Sequence, residues 1–298
     1  MDHAPRAGRE RPVDSSTVGI RDEAGGQAQT RPAPAAQLRL VPKEHGASFM
    51  SVHSLLLGIV AGFAAGGNDP AGLALAVGFG ALFLPLTAAI SVITQPRLAS
   101  AARRRAASLG VAFAALGVLA LLHGPALELG WIGGIGIALA GVYGLTRRAT
   151  GGRSVPSQLA AIAGISLLAP LAWLLIAGPT DRWALSPAVA FLAFGGTVPY
   201  VRERVRRRRL SLTLAGRLRG GAVAIVWQVA TLGTALTMAV AGVVNPLVPV
   251  AFVPGAFKTF LGLARPETRP PIRRIGYVET AISTAFAILA GVGLGVEP

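Results

Sequence analysis

RLVPKEHGASFMSVHSLLLGIVAGFAAG, residues 39–66, decides how the whole chain is read. Lys43, Glu44 and His45 stand in a row at its start, and after them no Asp, Glu, Lys or Arg occurs until Asp69. An apolar run of about 20 residues is long enough to cross a bilayer as a helix. In lipid the backbone must satisfy its own polar groups, and the period-2 alternation of a barrel strand is absent here. The stretch is therefore a transmembrane helix whose polar entrance carries an acid and a histidine as well as the usual cation.

The same pattern recurs to the end of the chain. Apolar stretches fall at roughly 48–66, 71–94, 107–123, 127–146, 157–178, 184–200, 220–242, 246–264 and 276–295. Of the 298 residues, 52% are hydrophobic and only 14% charged, against about 25% charged in soluble domains. The fold class expected is all-α: a polytopic membrane protein of about nine transmembrane helices, residues 39–298. Residues 1–38 are rich in Gly, Pro, Ala and charge, with few large apolar residues; a segment of that composition is expected to be a disordered tail.

Charge placement orients the helices. If all nine stretches cross, every Lys and Arg except Arg182 and Lys258 falls on the side of the amino terminus. The other side holds Asp69, Glu128, Asp181 and Glu297 around Arg182. By the positive-inside rule the amino terminus is cytoplasmic and the carboxyl terminus outside. The net charge of +15 thus reads as an orientation signal. Nucleic acid is not expected as a partner, because no aromatic residues are interleaved with the arginines. With no cysteine, disulfides, thiolate metal sites and cysteine nucleophiles are excluded. No Walker loop, dinucleotide fingerprint, zinc motif or serine elbow occurs, so neither cofactor nor metal is expected.

Ionisable and amide side chains inside spans are costly and mark candidate sites. Here they gather in the cytoplasmic third: His53 in the first span, Gln228 in the seventh, Lys258 in the eighth and Glu279 in the ninth. Glu44 and His45 stand at the same level. Glu44, His45 and Glu279 are the candidates for acid–base work, Glu44 pairing with a loop arginine and His45 with Glu279 if the first and ninth spans are neighbours. Pro254-Gly255 ahead of Lys258 is the expected functional break in a helix. The glycines of GWIGGIGIALAG, 130–141, and of the terminal GLGVEP read as close helix contacts.

Three elements resemble the YwiC-like family of bacterial membrane proteins: VPKEHGASFM at 41–50, GGTVPYVRERVRRRR at 195–209 and RPPIRRIGYVET at 269–280. The sequence departs from that pattern at Ser48, where the family usually has tryptophan. The resemblance marks Glu44, His45, Gly46, Tyr200, Arg202, Arg274, Gly276 and Glu279 as motif positions. With it, His53, Gln228, Lys258, Tyr200, Arg202 and Arg274 become the candidate binding residues. It implies a multi-pass protein of the bacterial plasma membrane and brings no activity with it. Span number and sidedness are also similar to UbiA-type prenyltransferases. The aspartate motifs that hold magnesium and diphosphate there are replaced by TQPRLASAARRR and YVRERVRRRR, without aspartate.

The function expected is the binding or modification of an anionic lipid or prenyl-type amphiphile, its tail among helices and its head at the basic rim. A small-solute or ion transporter is one alternative, and a structural or regulatory membrane protein another. Membrane lipids are the expected partners, and the sequence assigns no oligomeric state.

Overall fold

The computed structural model describes residues 45–92, 99–150, 154–207, 213–265 and 272–298. Glu44 and the whole 1–38 segment lie outside the described residues. Among those described, regular structure is helical throughout: α1 (His45–Ala64), α2 (Pro70–Val92), α3 (Ala99–His123), α4 (Ala126–Thr150), α5 (Val155–Ser166), α6 (Leu168–Ala177), α7 (Ser186–Gly195), α8 (Thr197–Arg207), α9 (Leu214–Gly220), α10 (Ala222–Val240), α11 (Leu247–Ala264) and α12 (Ile272–Gly295), with a 3-10 turn at Trp183–Leu185. Eight segments among the described residues are long and apolar enough to cross a membrane; the first apolar helix, Ser48–Ala64, is shorter. The protein is a multi-pass helical membrane protein.

Two of the crossing segments are broken helices. Val155–Ala177 is interrupted at Leu167, giving α5 and α6. Trp183–Arg204 is interrupted at Gly196, giving α7 and α8. At the second break the Gly196 N–H turns to the Phe194 carbonyl. The Leu192 carbonyl, which a continuous helix would have bonded to that N–H, instead accepts from the Trp227 indole at 2.8 Å. A buried backbone group in a membrane cannot be left to water, and a side chain from α10 replaces the missing bond. By contrast, α11 runs without interruption through Pro254-Gly255. The break expected there is absent because a proline removes only one ladder bond, which neighbouring structure tolerates in a membrane helix.

The packing centre is α6. Every residue from Leu168 to Ile176 except Leu171 is buried, the pattern of a helix enclosed on all faces. Ala169 and Trp173 belong to one apolar cluster, with Leu57, Ala61, Phe194, Phe252 and Phe286. Ala172, Leu174 and Leu175 belong to a second, with Ala76, Phe79, Ala120 and Leu129. Glycines set how close the neighbours come. A Cβ on Gly58 would sit 2.0 Å from the Ala169 carbonyl oxygen, and one on Gly72 would sit 1.8 Å from that of Leu175. The backbones of α1 and α2 thus touch the backbone of α6, as close helix pairs in lipid do.

Helix directions follow from matched contacts. Along α1, Gly58 meets Ala169 and Gly62 meets Trp173 and Ile176, so α1 and α6 are parallel. His53 meets Thr284, and Ala61 meets Gly295, so α1 and α12 are parallel neighbours too. That is what alternation requires of spans one, five and nine. One end of the bundle, the basic end, holds the starts of α1, α10 and α12 and the ends of α8 and α11. The far end holds the turns at 65–69, 124–125, 178–185 and 241–246 and the end of α12. The glycines at 130–141 differ from expectation. Those at 130, 133, 134 and 141 have nothing within 4 Å of an added Cβ, because α4 turns that face outward, with Trp131 and Ile137 exposed. Gly293 and Gly295 in the terminal stretch do make close contacts, with Val248 and Ala61.

At the far end Asp69 starts α2. Its Oδ1 accepts from the backbone N–H groups of Ala71 and Gly72, and its Oδ2 meets His123 Nε2 at 2.5 Å. The Gly72 N–H first, then His123, holds the Asp69 carboxyl below its ordinary value. A depressed carboxylate contributes stability present above its ordinary pKa and lost as pH falls through the folded one. Asp69→Asn is therefore expected to retain the α2 cap while flattening the acid-side fall in melting temperature followed by scanning fluorimetry; Asp69→Ala lowers melting at every pH. In the same assay Gly58→Ala should cost about 1–3 kcal/mol through the forced shift of α1 from α6, whereas Gly133→Ala should stay within about 0.5 kcal/mol.

Candidate functional site

The basic end is built around the last turns of α11. The final carbonyls of a helix have no partner within it, and here two arginines from other helices supply one. Arg204 Nη1 of α8 donates to the Gly262 carbonyl at 3.0 Å, and Arg217 Nη2 of α9 donates to that of Ala264 at 2.9 Å. Positive charge at a helix carboxyl end also opposes its dipole. Glu203, 6% exposed, takes a two-point bond from Arg206, Nε to Oε2 at 2.9 Å and Nη2 to Oε1 at 3.1 Å. It presses on α9, where a Cβ at Gly220 would lie 2.3 Å from its Oε1. Part of the arginine run that reads as a topology signal is thus a brace holding α8, α9 and α11 together. Sequence reasoning missed Glu203, Arg204 and Arg217 in these roles; a lone acid inside an arginine run was the available signal.

One turn before Gly262, Lys258 reaches α12. Its Nζ donates to Glu279 Oε2 at 2.6 Å and lies 5.6 Å from the centroid of the Tyr200 ring. The phenol of Tyr200 crosses α11 at Gly262, where an added Cβ would be 2.2 Å from its oxygen. A tyrosine, a lysine and a glutamate from three helices meet here, the lysine and glutamate side chains 19% and 32% exposed. Enclosed in apolar surroundings such a pair is strong, yet this one retains access to an incoming group. Gln228 of α10 packs instead on the α7–α8 break. Its Nε2 would lie 2.9 Å from a Cβ at Gly196, one helical turn before Tyr200, and the residue is 9% exposed.

His53 makes a separate contact. Its Nδ1–H donates to the Phe49 carbonyl at 2.7 Å, which leaves Nε2 of the neutral ring to accept from the Thr284 hydroxyl at 3.0 Å. Both ring nitrogens are engaged, so the histidine ties α1 to α12 and is not bonded to the Lys258–Glu279 pair. Arg202 is exposed on α8. His45 opens α1 and Arg274 lies near the start of α12, and their side chains lie outside the described set. The adjacency of α1 and α12, on which a His45–Glu279 contact depends, is present. Among the described residues no group of three His, Asp or Glu side chains is placed to hold a metal ion.

Fold and site define a multi-pass helical membrane protein with an ion pair at the basic end of its last two helices. Residues 41–173 match the model of the YwiC-like protein family. The matched residues include the PKEHG element at the mouth of α1; the elements at 195–209 and 269–280 lie beyond them. No curated protein matches the chain, and no solved structure does.

Removing one partner of the Lys258–Glu279 pair strands the other charge between helices. Lys258→Met and Glu279→Gln should each lower stability in detergent by about 1–3 kcal/mol. The double variant should lose less than their sum, with a coupling of about 1 kcal/mol in a double-mutant cycle. Additive losses would show that the two side chains do not interact.

Proposed function

We propose that the basic end binds the headgroup of an anionic lipid or prenyl-type amphiphile, with Lys258 as the cation that receives it. The observation that carries this reading is the partly buried Lys258–Glu279 pair beside Tyr200, on helices α11 and α12 whose lipid-facing surfaces are apolar. A lysine is a point charge that takes a phosphate or carboxylate in many orientations. An arriving anion would displace the Glu279 carboxylate from it. Tyr200 and Gln228 offer hydroxyl and amide groups at the same level, and Arg202 and Arg274 supply positive charge at the mouth. An apolar tail would lie along α10 and α11, where Val223, Val226, Val253 and Phe257 are exposed. Should the bound molecule also be modified, Glu279 is the group placed to hold or release a proton once Lys258 is occupied. The membrane would be the plasma membrane, with the basic end cytoplasmic as the positive-inside rule requires.

The broken helices at Leu167 and Gly196 support a second reading, a small-solute or ion transporter, since discontinuous spans line the substrate sites of many carriers.

Lipid extraction and native mass spectrometry of the purified chain separate these. An anionic amphiphile carried by the wild type and lost in Lys258→Met is the expected result. No bound amphiphile, together with saturable solute uptake by proteoliposomes, would favour the carrier; neither would leave a structural or regulatory role. Sidedness is testable because the chain has no cysteine. An impermeant maleimide should label Pro179→Cys in intact cells, and Ala149→Cys only after the membrane is opened.

A further inference from the structure

Arginines also close the basic end of α3 and α4. Arg103, Arg104 and Arg105 stand in the second turn of α3, and Arg147 and Arg148 in the last turn of α4. The two helices meet at the far-end turn 124–125, so both groups return to the same side. At 1.5 Å per residue, Arg104 lies roughly 29 Å along α3 from His123, and Arg148 roughly 33 Å along α4 from Ala126. The groups are thus within a helical turn of one level. Arg103, Arg104 and Arg148 are exposed. Arg147 is held in place: its Nη1 donates to the Tyr143 hydroxyl at 2.7 Å, and its guanidinium carbon lies 5.7 Å from that ring's centroid. Glu128, the one acid of either helix, sits at the opposite end of α4. Below the arginines the surface is apolar. Val111, Val118 and Leu122 of α3 and Ile137, Val142 and Leu145 of α4 are exposed, over a length close to the about 30 Å of a hydrocarbon core. α3 packs on α2, and α4 on α5, far more than α3 and α4 pack on each other. Among the described residues, nothing comes within 4 Å of a Cβ added to Gly110 or Gly117 of α3, or to Gly134 or Gly141 of α4. Both helices therefore carry shallow furrows open to lipid.

We propose that this face of α3 and α4 binds a phospholipid carrying two phosphodiesters, one at each arginine group, with its acyl chains along the two helices. Charge selects the occupant. A second copy of the chain docked here in the same orientation would set arginine against arginine, with no acid of α3 or α4 between them. A zwitterionic headgroup brings no net charge to the cluster, whereas an anionic one offsets it, as at other basic clusters beside membrane spans. The guanidinium fork also matches phosphate oxygens in a two-point bond. Because the arginines fall into two groups, on helices that pack against different neighbours, two linked phosphates engage both groups where a single phosphate engages one. The surface shares no residue with the Lys258 site and does not depend on the reading given for it.

The test is native mass spectrometry of the purified full chain in neutral detergent, with cardiolipin, phosphatidylglycerol and phosphatidylcholine added separately. Cardiolipin should be retained about tenfold more tightly than phosphatidylcholine, with phosphatidylglycerol between them. The triple variant Arg103→Gln, Arg104→Gln, Arg148→Gln should bind cardiolipin about tenfold more weakly. Its melting temperature without lipid should stay near that of the wild type, because these side chains are exposed. Arg148→Gln alone leaves the α3 group in place and should narrow the advantage of cardiolipin over phosphatidylglycerol. Lys258→Met should leave cardiolipin retention unchanged, so that failure here is told apart from failure of the Lys258 reading. Either other lipid retained as firmly as cardiolipin would overturn the proposal. So would cardiolipin retention unchanged in the triple variant or lost in Lys258→Met, or a lipid-free complex of two copies.

Discussion

The architecture depends on how closely α6 is seated. In lipid there is no hydrophobic gain from bringing two apolar helices together, because the tails around them are equally apolar. What holds them is close packing, and close packing needs backbone to meet backbone. Gly58 and Gly72 supply that on two sides of α6, against the carbonyls of Ala169 and Leu175. With α6 enclosed, α1 is fixed on one side and α2 on another. The rest of the chain is arranged around those contacts: α12 along α1, α11 along α12, and α3 and α4 outside with large apolar surfaces turned outward.

A second set of contacts pairs polar groups of different helices. His53 bonds Thr284 across α1 and α12. Trp227 restores the bond that the α7–α8 break removes. Arg204 and Arg217 close the end of α11, and Arg182 and Asn245 hold the end of α12. These contacts tie helices that packing alone would let slide. Beside them stands Lys258–Glu279, paired yet partly accessible. That pair supports the lipid reading.

Much of this was legible along the chain. Span positions followed from apolar length, because a bilayer sets that length whatever the side chains. The level of Lys258, Glu279, Gln228 and His53 was legible too, since a residue's distance from the end of its span is a matter of counting. Which of them touch was not. Lys258 and Glu279 meet because α11 and α12 pack side by side with those residues facing, whereas His53, at a similar depth, faces Thr284. The glycines of α4 show the same limit in reverse. They carry the pattern of a packing face, and the helix turns it away from every neighbour described.

The sequence by itself determined the class of protein, the number and place of its apolar segments, and the end at which its charge collects. These are properties of single segments and their solvent. The tertiary structure alone decided that α6 is central, that two spans break, and that arginines brace α11. Each of these depends on rotation and contact between helices far apart in sequence, where side-chain fit is decided within an ångström and no periodicity records it.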